Sequence, residues 1–111
     1  MEIVFVNSRL EKICNSAKKM KAEYGEETAK VLARRLVDLR AVATLEELDK
    51  LLGRCHPLSG PRAGQYALDL RGPKRLIFIP HDNPLPQLPS GGLNRSLVTS
   101  VCILEINIDY H

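Results

Sequence analysis

Residues 101–108 alternate without interruption, and this constrains the fold more than any other stretch of the chain. Cys102, Leu104, Ile106 and Ile108 fall on one side, and Val101, Ile103, Glu105 and Asn107 on the other. A period of two is that of a β-strand, whose successive side chains point to opposite faces. The first set is wholly apolar, so it is the expected core face. With apolar residues on the second side as well, the strand is expected at the centre of a sheet.

The upstream half follows a different period. Residues 1–6 read as a short strand, after which Ser8 and Glu11 form a capping-box pair. Leu10, Ile13, Cys14, Ala17 and Met20 then recur at helical spacing up to Gly25. A second helix over residues 26–41 places Ala29, Leu32, Leu36 and Leu39 on one stripe, with Lys30, Arg34 and Asp38 outward. Thr44 and Glu47 repeat the capping pair before a short third helix, carrying Leu45, Leu48, Leu51 and Leu52, that is expected to end at Gly53. Residues 65–70 and 75–80 flank Arg71-Gly72-Pro73-Lys74 and read as a hairpin. Residues 81–100, with Pro84, Pro86, Pro89 and Gly91-Gly92, are expected to form an exposed loop. The order β-α-α-α-β-β-β predicts an α+β fold: an antiparallel sheet with the N-terminal helices packed on one face.

Length and composition bound the rest. A chain of 111 residues, 44% hydrophobic, is expected to make one domain spanning residues 1–111 around one core. Its longest apolar runs fall far short of the roughly 20 residues a membrane helix needs, and no signal peptide is read at its start. Cys14, Cys55 and Cys102 show no metal-binding spacing and are an odd number, which fits three free thiols in a reducing cytoplasm. The net charge of +3 is unevenly placed: Arg54, Arg62, Arg71, Lys74 and Arg75 are opposed between residues 53 and 80 only by Asp69. Such a stretch suits RNA or an acidic partner segment, and equally an ordinary solvated surface.

Two segments carry candidate chemistry. In residues 55–66, His56 precedes a proline that biases it toward extended backbone, and Gly60 and Gly64 allow close approach, so the imidazole and Arg62 can share a cleft. The chain finishes on Asp109-Tyr110-His111. Asp109 and His111, two apart on an extended segment, point to the same side, so the carboxylate can orient the imidazole. By residue type alone, His56 also fits a hydrogen-bonded surface histidine, and the last three residues a frayed terminus. RNA cleavage needs a base for the 2′-hydroxyl proton, an acid for the departing 5′-oxygen, and cations at the phosphate. His56 and His111 can share the first two parts, and Arg75 or Arg62 the third, without metal or cofactor. Tyr110 can stack on a base or hydrogen-bond the phosphate. Arg54, Arg71 and Lys74 extend the cationic surface. His81 reads as a turn residue.

These residues resemble the HigB-type toxins of the RelE/ParE superfamily over most of the chain. The resemblance rests on Ala43-Thr44-Leu45-Glu46-Glu47-Leu48, His56-Pro57-Leu58-Ser59-Gly60, Arg62-Ala63-Gly64-Gln65-Tyr66, Arg75-Leu76-Ile77-Phe78 and Glu105-Ile106-Asn107-Ile108-Asp109-Tyr110-His111, in that order. It implies a ribosome-dependent mRNA endoribonuclease of a type II toxin–antitoxin system. Its implied partners are a helix-turn-helix, HigA-like antitoxin and mRNA on the 70S ribosome, with operator DNA reached only through the antitoxin. Catalytic roles carry over to His56, Asp109, Tyr110 and His111, and the family's arginines fall at Arg75 and Arg62. Two departures stand out: Ser59-Gly60-Pro61-Arg62 replaces a common Lys-Gly-Asp-Arg, and the loop over 81–100 is longer than usual. The rival readings are a non-enzymatic toxin of the same fold that binds a protein such as DNA gyrase, and a weakly active co-repressor acting with its antitoxin.

Overall fold

Asn7 starts the helical half: its side chain accepts the Leu10 N–H, satisfying a donor that a helix N-terminus leaves open. The computed structural model describes residues 1–51 and 54–109 and places this cap between strand β1 (Glu2–Phe5) and helix α1 (Ser8–Cys14). The cap expected at Ser8 is therefore one residue earlier. The single helix expected over Leu10 to Met20 is two, because Ser16 accepts the Lys19 N–H and caps α2 (Ala17–Tyr24). Gly25, at φ 86°, joins α2 to α3 (Glu26–Ala41) in a conformation that costs glycine little. The α3 stripe is as expected: Ala29, Leu32, Leu36 and Leu39 are all buried. After it, the expected third α-helix is a 3₁₀ turn, Leu45–Lys50; Glu47 accepts the Ala43 N–H at 2.9 Å. Its expected end at Gly53 lies outside the described residues.

The second half builds a five-stranded sheet from β1, β2 (His56–Pro57), β3 (Tyr66–Asp69), β4 (Lys74–Pro80) and β5 (Ser100–Asp109), in the order β1-β5-β4-β3-β2. The β3–β4 hairpin matches the sequence expectation. The sheet is antiparallel from β5 to β2, while β1 joins β5 in parallel. β2 occupies part of what reads in the sequence as a connector; its Pro57 is tolerated because the strand is an edge. The helices cover one face, where Leu32, Leu36 and Leu39 pack with Leu76, Phe78, Val101 and Ile103. Each such buried side chain contributes about 1.5–3 kcal/mol. The other face carries a smaller cluster of Leu58, Ala67 and Ile77, flanked by half-buried Leu104 and Ile108. Among the described residues no helix is long and apolar enough to cross a membrane.

The facing of β5 corrects the alternation read from the sequence. Val101 and Ile103, not Cys102 and Leu104, meet the helices, and Ile106 joins them from the other set. Two register shifts account for the change of side at Ile106. Phe78 pairs with Ile103 but Ile77 with Glu105, leaving Leu104 extra; Leu76 pairs with Ile106 but Arg75 with Ile108, leaving Asn107 extra at φ 63°. Each bulge adds one residue and switches which parity faces the core. Leu104 and Ile108 lie on the helix-free face, and the first shift brings Glu105 there as well.

The segment between β4 and β5 is exposed at Leu85, Leu88 and Leu97 but is tied down at its base. Asp82 accepts from the Thr99 N–H and hydroxyl and from the Ser100 N–H. Burial pushes the Asp82 carboxyl up, but these hydrogen bonds outweigh it and hold the group below its ordinary value. Val98 is fully buried, and its carbonyl accepts the Leu45 N–H at 3.1 Å.

Candidate active site

Strand register assembles the polar residues of the helix-free face. His56 lies opposite Ala67, Ala67 opposite Ile77, and Ile77 opposite Glu105. In the next row of the same face, Asp69 lies opposite Arg75 and Arg75 opposite Ile108. Asp69 is two residues from Ala67, so it is a diagonal neighbour of His56 within reach of a long side chain. The two side chains do meet: His56 Nε2 is 3.0 Å from Asp69 Oδ1.

That carboxylate is a junction. Arg75 Nε is also 3.0 Å from Oδ1, and Arg54 Nε is 3.7 Å from Oδ2. From beneath, Arg35 of α3 donates to the Asp69 backbone oxygen at 2.8 Å. Arg75 is held further by the carbonyls of Gly72 and Lys74. Asp69 is only 19% exposed, against 36% for His56 and 75% for Arg54, so the carboxylate forms the floor and Arg54 the rim. Arg54 adopts φ 52°, a left-handed conformation costly for a side chain with Cβ, two residues before His56.

Arg62 reaches the same face from the 3₁₀ turn Gly60–Arg62. It donates to Gln65 Oε1 at 2.9 Å and pairs with Glu105 Oε2 at 2.8 Å. The bulge at Leu104 is what brings Glu105 to this side. Lys74 and Asp109 face each other across β4 and β5 and bond at 3.2 Å. Arg71 is exposed in the hairpin turn.

Of the residues singled out in the sequence, His56, Arg54, Arg62 and Arg75 thus share one face. Asp109 sits at the end of β5 with Lys74 as its partner, and Tyr110 and His111 lie outside the described residues. The carboxylate beside His56 is Asp69. The sequence marks it only as the lone acid in a basic stretch; its place two residues from Ala67 on a strand was the available signal. Glu105 was readable only as the polar side of β5. Chemically, the face offers an imidazole for proton transfer and guanidinium forks that match a phosphate.

On the helix-covered face, Tyr66 stacks on Phe78 with ring centroids 5.7 Å apart, and Arg95 lies over the Tyr66 ring at 5.6 Å. Arg95 also donates both Nη groups to Asp49 at 2.9 and 3.1 Å. Cys55, next to His56, is half-buried; burial pushes its thiol up to about 11, with Arg95 only partly opposing.

The chain thus has an α+β fold, with a mixed sheet carrying its helices on one face and a cationic, histidine-bearing surface on the other. The chain is similar to the solved structure of a YoeB/ParE toxin from Agrobacterium tumefaciens, with a TM-score of 0.59 at 11% identity, over 99% of this chain and 100% of that one. No protein-family model matches the chain, and no curated protein matches its sequence.

Proposed function

We propose that this chain is the toxin of a type II toxin–antitoxin pair, of the HigB type, and that it cuts mRNA on the 70S ribosome in the cytoplasm. The observation that carries the reading is His56 bound to Asp69 on the helix-free face, with Arg75 and Arg54 on the same carboxylate and Arg62 across the row. A surface built only to bind another protein has no need of an imidazole fixed among guanidinium groups.

In this reading Arg75 and Arg62 take the phosphate, with Arg54, Arg71 and Lys74 guiding the strand. His56 and His111 share proton transfer, Tyr110 meets a base, and Asp109 supports the terminal residues from the end of β5. The ribosome holds the mRNA in the bent geometry needed for in-line attack, so free RNA is a poor substrate. A HigA-like antitoxin restrains the activity and brings the pair to operator DNA.

Purified protein incubated with programmed 70S ribosomes should cut mRNA in the decoding site, as mapped by primer extension. His56→Ala and His111→Ala should each lower the rate by about 10²-fold or more, the contribution of a general acid or base. No cuts by the wild type would refute the nuclease reading and make DNA gyrase the next target to assay.

A further inference from the structure

The contact between His56 and Asp69 determines which ring nitrogen does the chemistry. A carboxylate oxygen only accepts, so the 3.0 Å contact of Oδ1 with Nε2 puts the imidazole hydrogen on Nε2. The same oxygen lies 3.0 Å from Arg75 Nε, which keeps the carboxylate in place. A neutral imidazole carries one N–H, so with Nε2–H on Asp69 the free lone pair is that of Nδ1; among the described residues the one hydrogen bond of the His56 ring is that to Asp69. Of His56, Asp69 and Arg75, His56 is the side chain most open to solvent.

We propose that Asp69 is the positioning residue of this site and that it gives His56 the part of general base, acting through Nδ1. This rests on the nuclease reading above. As the 2′-oxygen of the ribose bonds to phosphorus, its proton passes to Nδ1. The P–O5′ bond breaks and the 5′-oxygen takes a proton from the acid, His111, leaving a 2′,3′-cyclic phosphate and a 5′-hydroxyl. The imidazolium so formed keeps its Nε2–H on the Asp69 carboxylate at 3.0 Å, so the ring does not have to turn as it takes up the proton. Asp69 touches no substrate atom in this scheme. It orients His56 and, through the same oxygen, sets Arg75 beside it.

Two measurements test this. Long-range ¹H–¹⁵N spectra of the free protein should show the Nε2–H tautomer for His56, assigned by the signals lost in His56→Ala, and a mixture of tautomers in Asp69→Ala. A wild-type Nδ1–H tautomer, or an unchanged pattern in a folded Asp69→Ala protein, overturns the proposal; if Asp69→Ala fails to fold, the wild-type spectrum alone decides the tautomer. On the ribosome, Asp69→Asn should lower kcat by about 10²-fold with KM unchanged. An mRNA with a bridging 5′-sulfur at the cut site supplies a leaving group that needs no acid. It should restore cutting by His111→Ala but not by His56→Ala; restoration of His56→Ala would make His56 the acid and refute its role as base. If the wild type cuts no mRNA, the nuclease reading and the base role fall together, while the tautomer is still read on the free protein.

Discussion

Replacing Arg95 tests whether the long segment between β4 and β5 is held or merely trails. Arg95 makes a two-pronged bond to Asp49 and lies over Tyr66, joining this segment to the 3₁₀ turn Leu45–Lys50 and to β3. Arg95 is 29% exposed and Asp49 46%, so the ion pair is partly screened and belongs to the range of about 0.2–1 kcal/mol, toward its upper end because the geometry is bidentate. The cation over the Tyr66 ring adds about 0.5–1 kcal/mol. Arg95→Ala should therefore cost about 1–2 kcal/mol, seen in urea denaturation, and lower Tm by about 4–8 °C in a domain of this size. Arg95→Lys keeps the charge but loses the fork, so it should fall between. In a double-mutant cycle with Asp49→Ala, the coupling should be about 0.5–1 kcal/mol. Additivity of the two substitutions, or an Arg95→Ala protein within about 0.3 kcal/mol of wild type, would show that this anchor does not hold the segment.

Cys14 and Cys55 have thiols pushed up to about 11, by burial in both cases, with Arg40 and Arg95 respectively opposing in part. Compared with an ordinary thiol they carry about 100-fold less thiolate at pH 8, so mass spectrometry should show alkylation of the native protein slower by that factor than of the urea-unfolded chain. Equal rates would contradict their burial. The lowered Asp82 carboxyl gives a signed prediction for stability. Its contribution is present above the unfolded carboxyl value of about 3.9 and is lost as pH falls through the lower folded value. Asp82→Asn should thus be less stable than wild type at pH 7, with the gap in denaturation midpoint closing below about pH 4. A gap that stays constant down to pH 2 would count against the hydrogen bonds to Thr99 and Ser100 as its cause.

The parts of the fold legible in the sequence are those set within one element. The α3 stripe needs only its own period of 3.6, and the β3–β4 hairpin announces itself through Arg71-Gly72-Pro73-Lys74. The facing of β5 is not legible in its own residues: both sides are apolar over residues 101–104, and the bulge that turns Ile106 to the helices is a property of two strands, since nothing in residues 101–108 alone shows that Leu104 and Asn107 will lack partners on β4. The break between α1 and α2 was hidden because Cys14, Ala17 and Met20 keep helical spacing across it, while Ser16, the cap, reads as an ordinary helix-surface residue. His56 and the basic residues were legible by type. Asp69 was not, because its meaning depends on the register of three strands, which brings residues 56, 69 and 75 to one point.

That register also sets how the face handles charge. Asp69 and Glu105 each hold a guanidinium in place, and Asp109 holds Lys74. An unpaired arginine on a surface gives up side-chain entropy of about 2 kcal/mol when a phosphate orders it, whereas Arg62 and Arg75 are already ordered before any substrate arrives. The same carboxylates oppose the phosphate, so a substrate must exchange one anion for another instead of meeting free cations. An anion exchange of this kind weakens binding of polyanions in general and favours a strand held by something else in the one orientation where both phosphate and 2′-hydroxyl fit. Under the proposed nuclease function, the arrangement around Asp69 is therefore expected to make cutting depend on the ribosome to present the substrate, more than on capture of RNA by charge.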